Sequence, residues 1–211
     1  MQRKQLTDER LNANFLTFVD KLQKYNCYSE SMIKDLGESI KNGSYSTLDK
    51  FGGAYRGSLV EVTLNVLCRI GFSINSMVFG MNEKGVMNFP LMCVNNDMLM
   101  RVLLLVNISK SEMYIPNTND WKRSNGAPYD FNENLKSSLK TGQRTLYICN
   151  KYGIRLTEEE FEAIAMVDVE DDKSARFRSP LATIVMTALS LTLVELHQRY
   201  VKENKIEKEE E

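Results

Sequence analysis

Apolar residues recur at helical spacing along most of the chain. Leu11, Phe15, Phe18 and Leu22 step by four, three and four, which puts them on one face of a helix. Thr7 followed by Asp8 and Glu9 predicts its start, because a hydroxyl at the N-cap accepts from an orphaned backbone N–H. Ser29 opens a second helix with Met32, Ile33, Leu36 and Ile40 inward, and K-N-G-S stops it. After the Gly-rich F-G-G-A-Y-R-G-S, apolar residues wrap most of the circumference from Leu59 to Ile70, the pattern of a buried helix. Residues 74–94 are mixed and Met-rich, and Met77-Val78-Phe79 reads as a short strand or a loop. Asn95 or Asn96 starts a helix that covers Met98 to about Ser109.

Residues 112–138 break this rhythm. They are polar, contain Pro116, Gly126 and Pro128, and carry the single tryptophan, Trp121. A connection of this length inside a compact domain is usually functional or held against a partner. Helical character resumes over Leu139–Tyr152. Thr157-Glu158-Glu159-Glu160 then forms a capping box, in which hydroxyl and carboxylate each satisfy the other's backbone N–H. Pro180 opens a last helix through Leu181, Ile184, Val185, Leu189, Leu193 and Leu196, followed by the charged V-K-E-N-K-I-E-K-E-E-E. The sum is an all-α bundle of about seven helices with one long irregular loop. It divides into an N-terminal helical segment (1–50), a main helical domain (51–200) and a charged tail (201–211).

Composition narrows the function. The 211 residues are 43% hydrophobic and 26% charged, with net charge -1 and pI near 6.0, so no global positive field favours nucleic acid or an anionic membrane. No apolar run approaches the roughly 20 residues of a bilayer span, and the start lacks the apolar stretch of a secretion signal. Cys27, Cys68, Cys93 and Cys149 are scattered, as for reduced thiols in a cytosol rather than a zinc site. His197 is the single histidine, which excludes any mechanism needing two.

Five segments in order, G-G-A-Y-R-G-S-L-V-E-V-T-L-N-V, L-L-V-N-I-S-K, T-G-Q-R-T, R-L-T-E-E-E-F-E-A-I-A-M-V-D and S-P-L-A-T-I-V-M-T-A-L-S, resemble landmarks of HD-domain phosphohydrolases. The loop N-x-W followed by G-x-P-Y is similar to an insertion in that family's bacterial members. The resemblance spans about Phe51 to Leu196 and implies an HD-domain-like helical bundle. In that family, His and Asp side chains hold one or two divalent metals that activate water against a phosphoester. Here the corresponding positions are Val62, the adjacent pair Val106 and Asn107, then Thr141, Val167 and Leu189, so the resemblance implies a fold that keeps its shape without the metal. Apolar side chains at such positions each contribute on the order of 1.5–3 kcal/mol when buried, so the expected pocket becomes core. No catalytic residue, metal or cofactor is expected.

Other residues carry subsidiary expectations. Lys110, with Arg144, Arg176 and Arg178, composes a candidate metal-free anion pocket for a nucleotide or polyphosphate. Asp168, Glu170, Asp171 and Asp172 read as a solvated acidic loop, since the run lacks the Gly and terminal Glu of a Ca²⁺ loop. Met77, Met81, Met87, Met92, Met98 and Met100 fill core gaps or adapt to a partner. Tyr114, Trp121 and Tyr129 are candidate interface anchors. His197 is expected to be a hydrogen-bonded surface residue. The first reading is a non-catalytic interaction protein that assembles with protein subunits of its own or another kind, in the cytoplasm or in a phage particle built there; a virion ring or head–tail connector is its most specific form. A nucleotide-sensing module stands second, and an active phosphohydrolase with displaced ligands third.

Overall fold

The computed structural model describes residues 5–79, 94–169 and 178–210, with side chains described except at 71–79 and 204–210. Met81, Met87, Met92, Cys93, Glu170, Asp171, Asp172 and Arg176 lie outside the described residues, and of Met77 only the backbone is described. The chain runs α1 (Asp8–Lys24), α2 (Glu30–Asn42), a 3-10 turn (Asp49–Phe51), α3 (Ser58–Phe79), α4 (Asn96–Leu105), α5 (Lys110–Met113), β1 (Tyr114–Pro116), α6 (Asp120–Ser124), β2 (Tyr129–Phe131), α7 (Thr141–Lys151), α8 (Glu158–Ala165), a 3-10 turn (Met166–Asp168) and α9 (Pro180–Glu210). It is mostly helical, as the spacing predicts.

Helix starts follow the local chemistry. Thr7 accepts from the Arg10 N–H, Ser29 from Met32, and Asn95, not Asn96, from Asp97 and Met98. Leu11, Phe18 and Leu22 of α1 and Met32, Leu36 and Ile40 of α2 are buried, and apart from Leu11 they join one core with α3, α4, α7, α8 and α9. The N-terminal segment and the main domain thus share one apolar interior.

Three elements depart from expectation. Residues 77–79 are neither strand nor loop; they form the last turn of α3. The helix expected to reach Ser109 stops at Leu105, and residues 106–109 make a turn before α5, so Val106 and Asn107 sit at a bend. The polar 112–138 stretch is not irregular throughout. Antiparallel β1 and β2 pair Tyr114 with Phe131 and Pro116 with Tyr129, around the short α6 capped by Asn119. The Tyr114 and Phe131 rings meet edge to face at 5.4 Å, and Tyr129 N–H donates to Thr47 O while Asp49 N–H donates to Gly126 O, tying the ribbon to the body.

α9 also turns differently from its expected face. Leu181, Ala182, Val185, Ala188, Thr192 and Leu196 are buried, whereas Leu193 is 49% exposed. Ala182 and Ala188 present little side chain, so small residues share the packed face with Leu181, Val185 and Leu196. Although α9 holds no uninterrupted apolar run of bilayer length, Pro180–Glu203 is long and apolar enough to cross a membrane by length and composition, with 33% of its most apolar window buried.

Candidate functional site

The positions that the resemblance pairs with metal ligands fall in and around the core. Val62 and Val106 are 3% and 1% exposed, and Val167 and Leu189 pack against the same cluster half-buried. The 106–109 bend and the start of α7 are joined directly. Thr145 Oγ1 donates to Val106 O at 3.1 Å, and Ser109 Oγ donates to Thr141 O at 2.9 Å. Thr141 and Gly142 in turn abut the end of α8. A Cβ at Gly142 would lie 2.3 Å from Ile164 O and 3.0 Å from Val167 Cγ2. Val62, on α3, lines a shallow cleft with Thr192, Glu195 and Leu196 of α9. Val62 and Val106 thus belong to the core and Val167 and Leu189 pack against it, and among the described residues no group of three His, Cys, Asp or Glu is placed to hold a metal.

Asn107 and Lys110 form a polar island around Tyr45. Burial pushes the Tyr45 hydroxyl's pKa up, and the Asn107 side chain beside it acts in the opposite direction. Lys110 Nζ stands 3.7 Å from the centre of the Tyr45 ring and donates to Tyr45 O at 3.1 Å. Its stem is half-exposed, but its amine is enclosed, and that burial lowers its pKa to about 7. The ring face and carbonyl favour an ammonium, while desolvation opposes it.

Arg144, the second basic candidate, has partners of its own. Arg144 is 5% exposed; its guanidinium donates to Ser137 O and Oγ and lies 3.6 Å from a Glu112 carboxylate oxygen. It braces the end of the ribbon segment rather than facing the Lys110 amine's partners. Arg178 stands half-buried before α9, with its Nε enclosed and without a hydrogen-bond partner among the described residues.

Asp168 departs from the solvated-loop reading. Its two carboxylate oxygens accept from the Gly142 and Gln143 N–H groups at 2.9 Å each, so it caps the start of α7, where a negative charge also opposes the helix dipole favourably. The capping box holds as expected, with Glu160 Oε2 accepting from Thr157 N–H at 2.8 Å. It has a second role that sequence spacing does not reveal. Glu160 is wholly buried and pairs with Arg101 Nε at 3.1 Å, and Arg101 also donates to Arg155 O.

Trp121 is 72% exposed on α6, while Tyr114 and Tyr129 are half-buried by the ribbon that they build. His197 is exposed, with Nδ1 2.7 Å from Lys50 O, in keeping with a hydrogen-bonded surface residue. Cys27 and Cys149 are buried, and desolvation raises each thiol to about 12, which leaves little nucleophilic thiolate. Compared with family models, curated proteins and solved structures, the chain matches none.

Proposed function

We propose that the chain is a non-catalytic helical interaction protein, a descendant of the HD-domain architecture that serves as a subunit of a larger protein assembly. The observation that carries this reading is the uncovered apolar surface of α9: Leu191, Leu193 and Val194 are 63%, 49% and 54% exposed. Leu191 and Val194, three positions apart, share one face of the helix, and association would cover that face. Trp121, with most of its ring in solvent, adds a second anchor of the type that dominates interface energies. The buried valines at 62 and 106 support the non-catalytic part, because an apolar filling leaves no donors for a hard cation. In its most specific form the assembly is a phage virion ring or head–tail connector, put together in the cytoplasm.

Light scattering coupled to size exclusion tests the proposal. The full chain is expected to run as an oligomer, and Leu191→Asp with Val194→Asp to reduce its mass while leaving the helical signal intact. A monomer at high concentration that captures no partner would overturn the reading. So would stoichiometric metal in the purified protein together with Mn²⁺-dependent phosphodiesterase turnover.

The hydropathy of Pro180–Glu203 favours one other reading, in which α9 meets a lipid bilayer. Co-sedimentation with neutral vesicles separates the two: the assembly reading expects the protein in the supernatant.

A further inference from the structure

The ribbon and the Gly-rich turn face each other across a cavity of about 340 Å³, within the size range of small-molecule sites. From the turn come Tyr55 and Arg56. From the ribbon and α6 come Pro116, Tyr129 and Arg123, and Leu6 adds an aliphatic side chain from just before α1. Among the described residues its lining carries two guanidinium groups and no carboxylate. We propose that this cleft binds a small organic anion, with a phosphate or carboxylate held between Arg56 and Arg123 and a flat apolar body against the tyrosine rings and prolines.

Both walls are held in place before any ligand arrives. Ser58 Oγ donates to Gly53 O and Tyr55 O, and accepts from Tyr45 N–H. Gly57 adopts φ +80°, and a Cβ there would strike Leu11, so the turn that presents Tyr55 and Arg56 is fixed in its bend. The Tyr55 hydroxyl donates to Glu61 Oε2 at 2.5 Å, which orients the ring. Opposite, Asn117 N–H donates to Pro128 O, and Lys122 Nζ to Asp130 at 2.8 Å. Arg56 lies close enough to Tyr129 to act on its hydroxyl, lowering a pKa that burial raises.

The arginines' acidic partners are weak competitors. Arg56 pairs with Asp8, besides donating from Nε to Asn42 Oδ1 at 2.7 Å, and Arg123 pairs with Asp120, both acids being 78% exposed or more. Exposed pairs of this kind hold little net stability, so a ligand anion that bridges both guanidinium groups can displace them. Guanidinium groups suit planar, bidentate recognition of such anions.

Isothermal titration of the full chain with phenyl phosphate, benzoate and inorganic phosphate tests the assignment. Saturable one-to-one binding of phenyl phosphate or benzoate is expected, and whichever binds tighter identifies the anion. Arg56→Gln and Arg123→Gln should each weaken binding about tenfold or more, and Lys110→Met should leave it unchanged. Arg123 sits on an exposed surface helix, so its variant decides the matter even if Arg56→Gln disturbs the turn. No saturable binding of either aromatic anion at millimolar concentration would overturn the proposal, as would undiminished binding in Arg123→Gln. Inorganic phosphate binding as tightly as phenyl phosphate would also overturn it, because the apolar walls would then contribute nothing.

Discussion

Lys110 brings an amine under the ring and carbonyl of one tyrosine, and the consequence is a pH-dependent contribution to stability. Its folded pKa of about 7 lies below the ordinary 10.5, so the unfolded chain takes up the proton first as pH falls. Stability is lost between about 10.5 and about 7 and levels off below that window. Melting curves of the native chain and of Lys110→Met should therefore diverge across this range, the native chain gaining relative stability as pH rises. Glu160 makes a steeper prediction. Glu160→Ala leaves the Arg101 guanidinium buried without its carboxylate and removes the reciprocal cap on Thr157, which should cost about 3–5 kcal/mol in chemical denaturation. Contacts between near neighbours are legible in the sequence, as with the caps at Thr7, Ser29 and Thr157, because an N-cap bond spans only three residues. The seat of Lys110 on Tyr45, 65 residues away, is not, since no spacing rule joins positions so far apart.

Among the elements, the contact of α7 with the end of α8 is the most demanding. Gly142 is required there by closeness of approach, not by an unusual backbone angle: a Cβ would press on the Ile164 carbonyl. Gly142→Ala should destabilise by about 1–3 kcal/mol through forced backbone shifts. Asp168→Ala removes two hydrogen bonds to the first turn of α7 and should cost about 1 kcal/mol; thermal melts check both. The T-G-Q-R-T and M-V-D segments were each visible in the chain, yet their union was not, because Asp168 caps a helix 26 residues earlier. Likewise hydrophobicity alone places Leu193 inward on α9, whereas the small Ala188 and Thr192 hold the buried positions there. The ribbon escaped notice because β1 and β2 are three residues each, too short to establish an alternation.

At the scale of the whole molecule, helical class was legible because the 3.6-residue period dominates, whereas the cleft between turn and ribbon depends on how distant segments fold together. α9 continues past its last core residue, Leu196, to Glu210. Fourteen further residues at the helical rise carry it about 21 Å onward. Ending the chain after Lys202 should shift the melting temperature by less than about 2 °C, since the last core residue is Leu196 and Lys202 and Glu203 are already exposed, while lowering the mass of any assembly that uses this extension. The helix that closes the core is thus also an arm, packed at one end through Ala182 and Ala188 and rich in lysine and glutamate at the other. A neighbour gripping that arm would be held at a set distance and angle from the body, so geometry between subunits would be written into the length of a single helix.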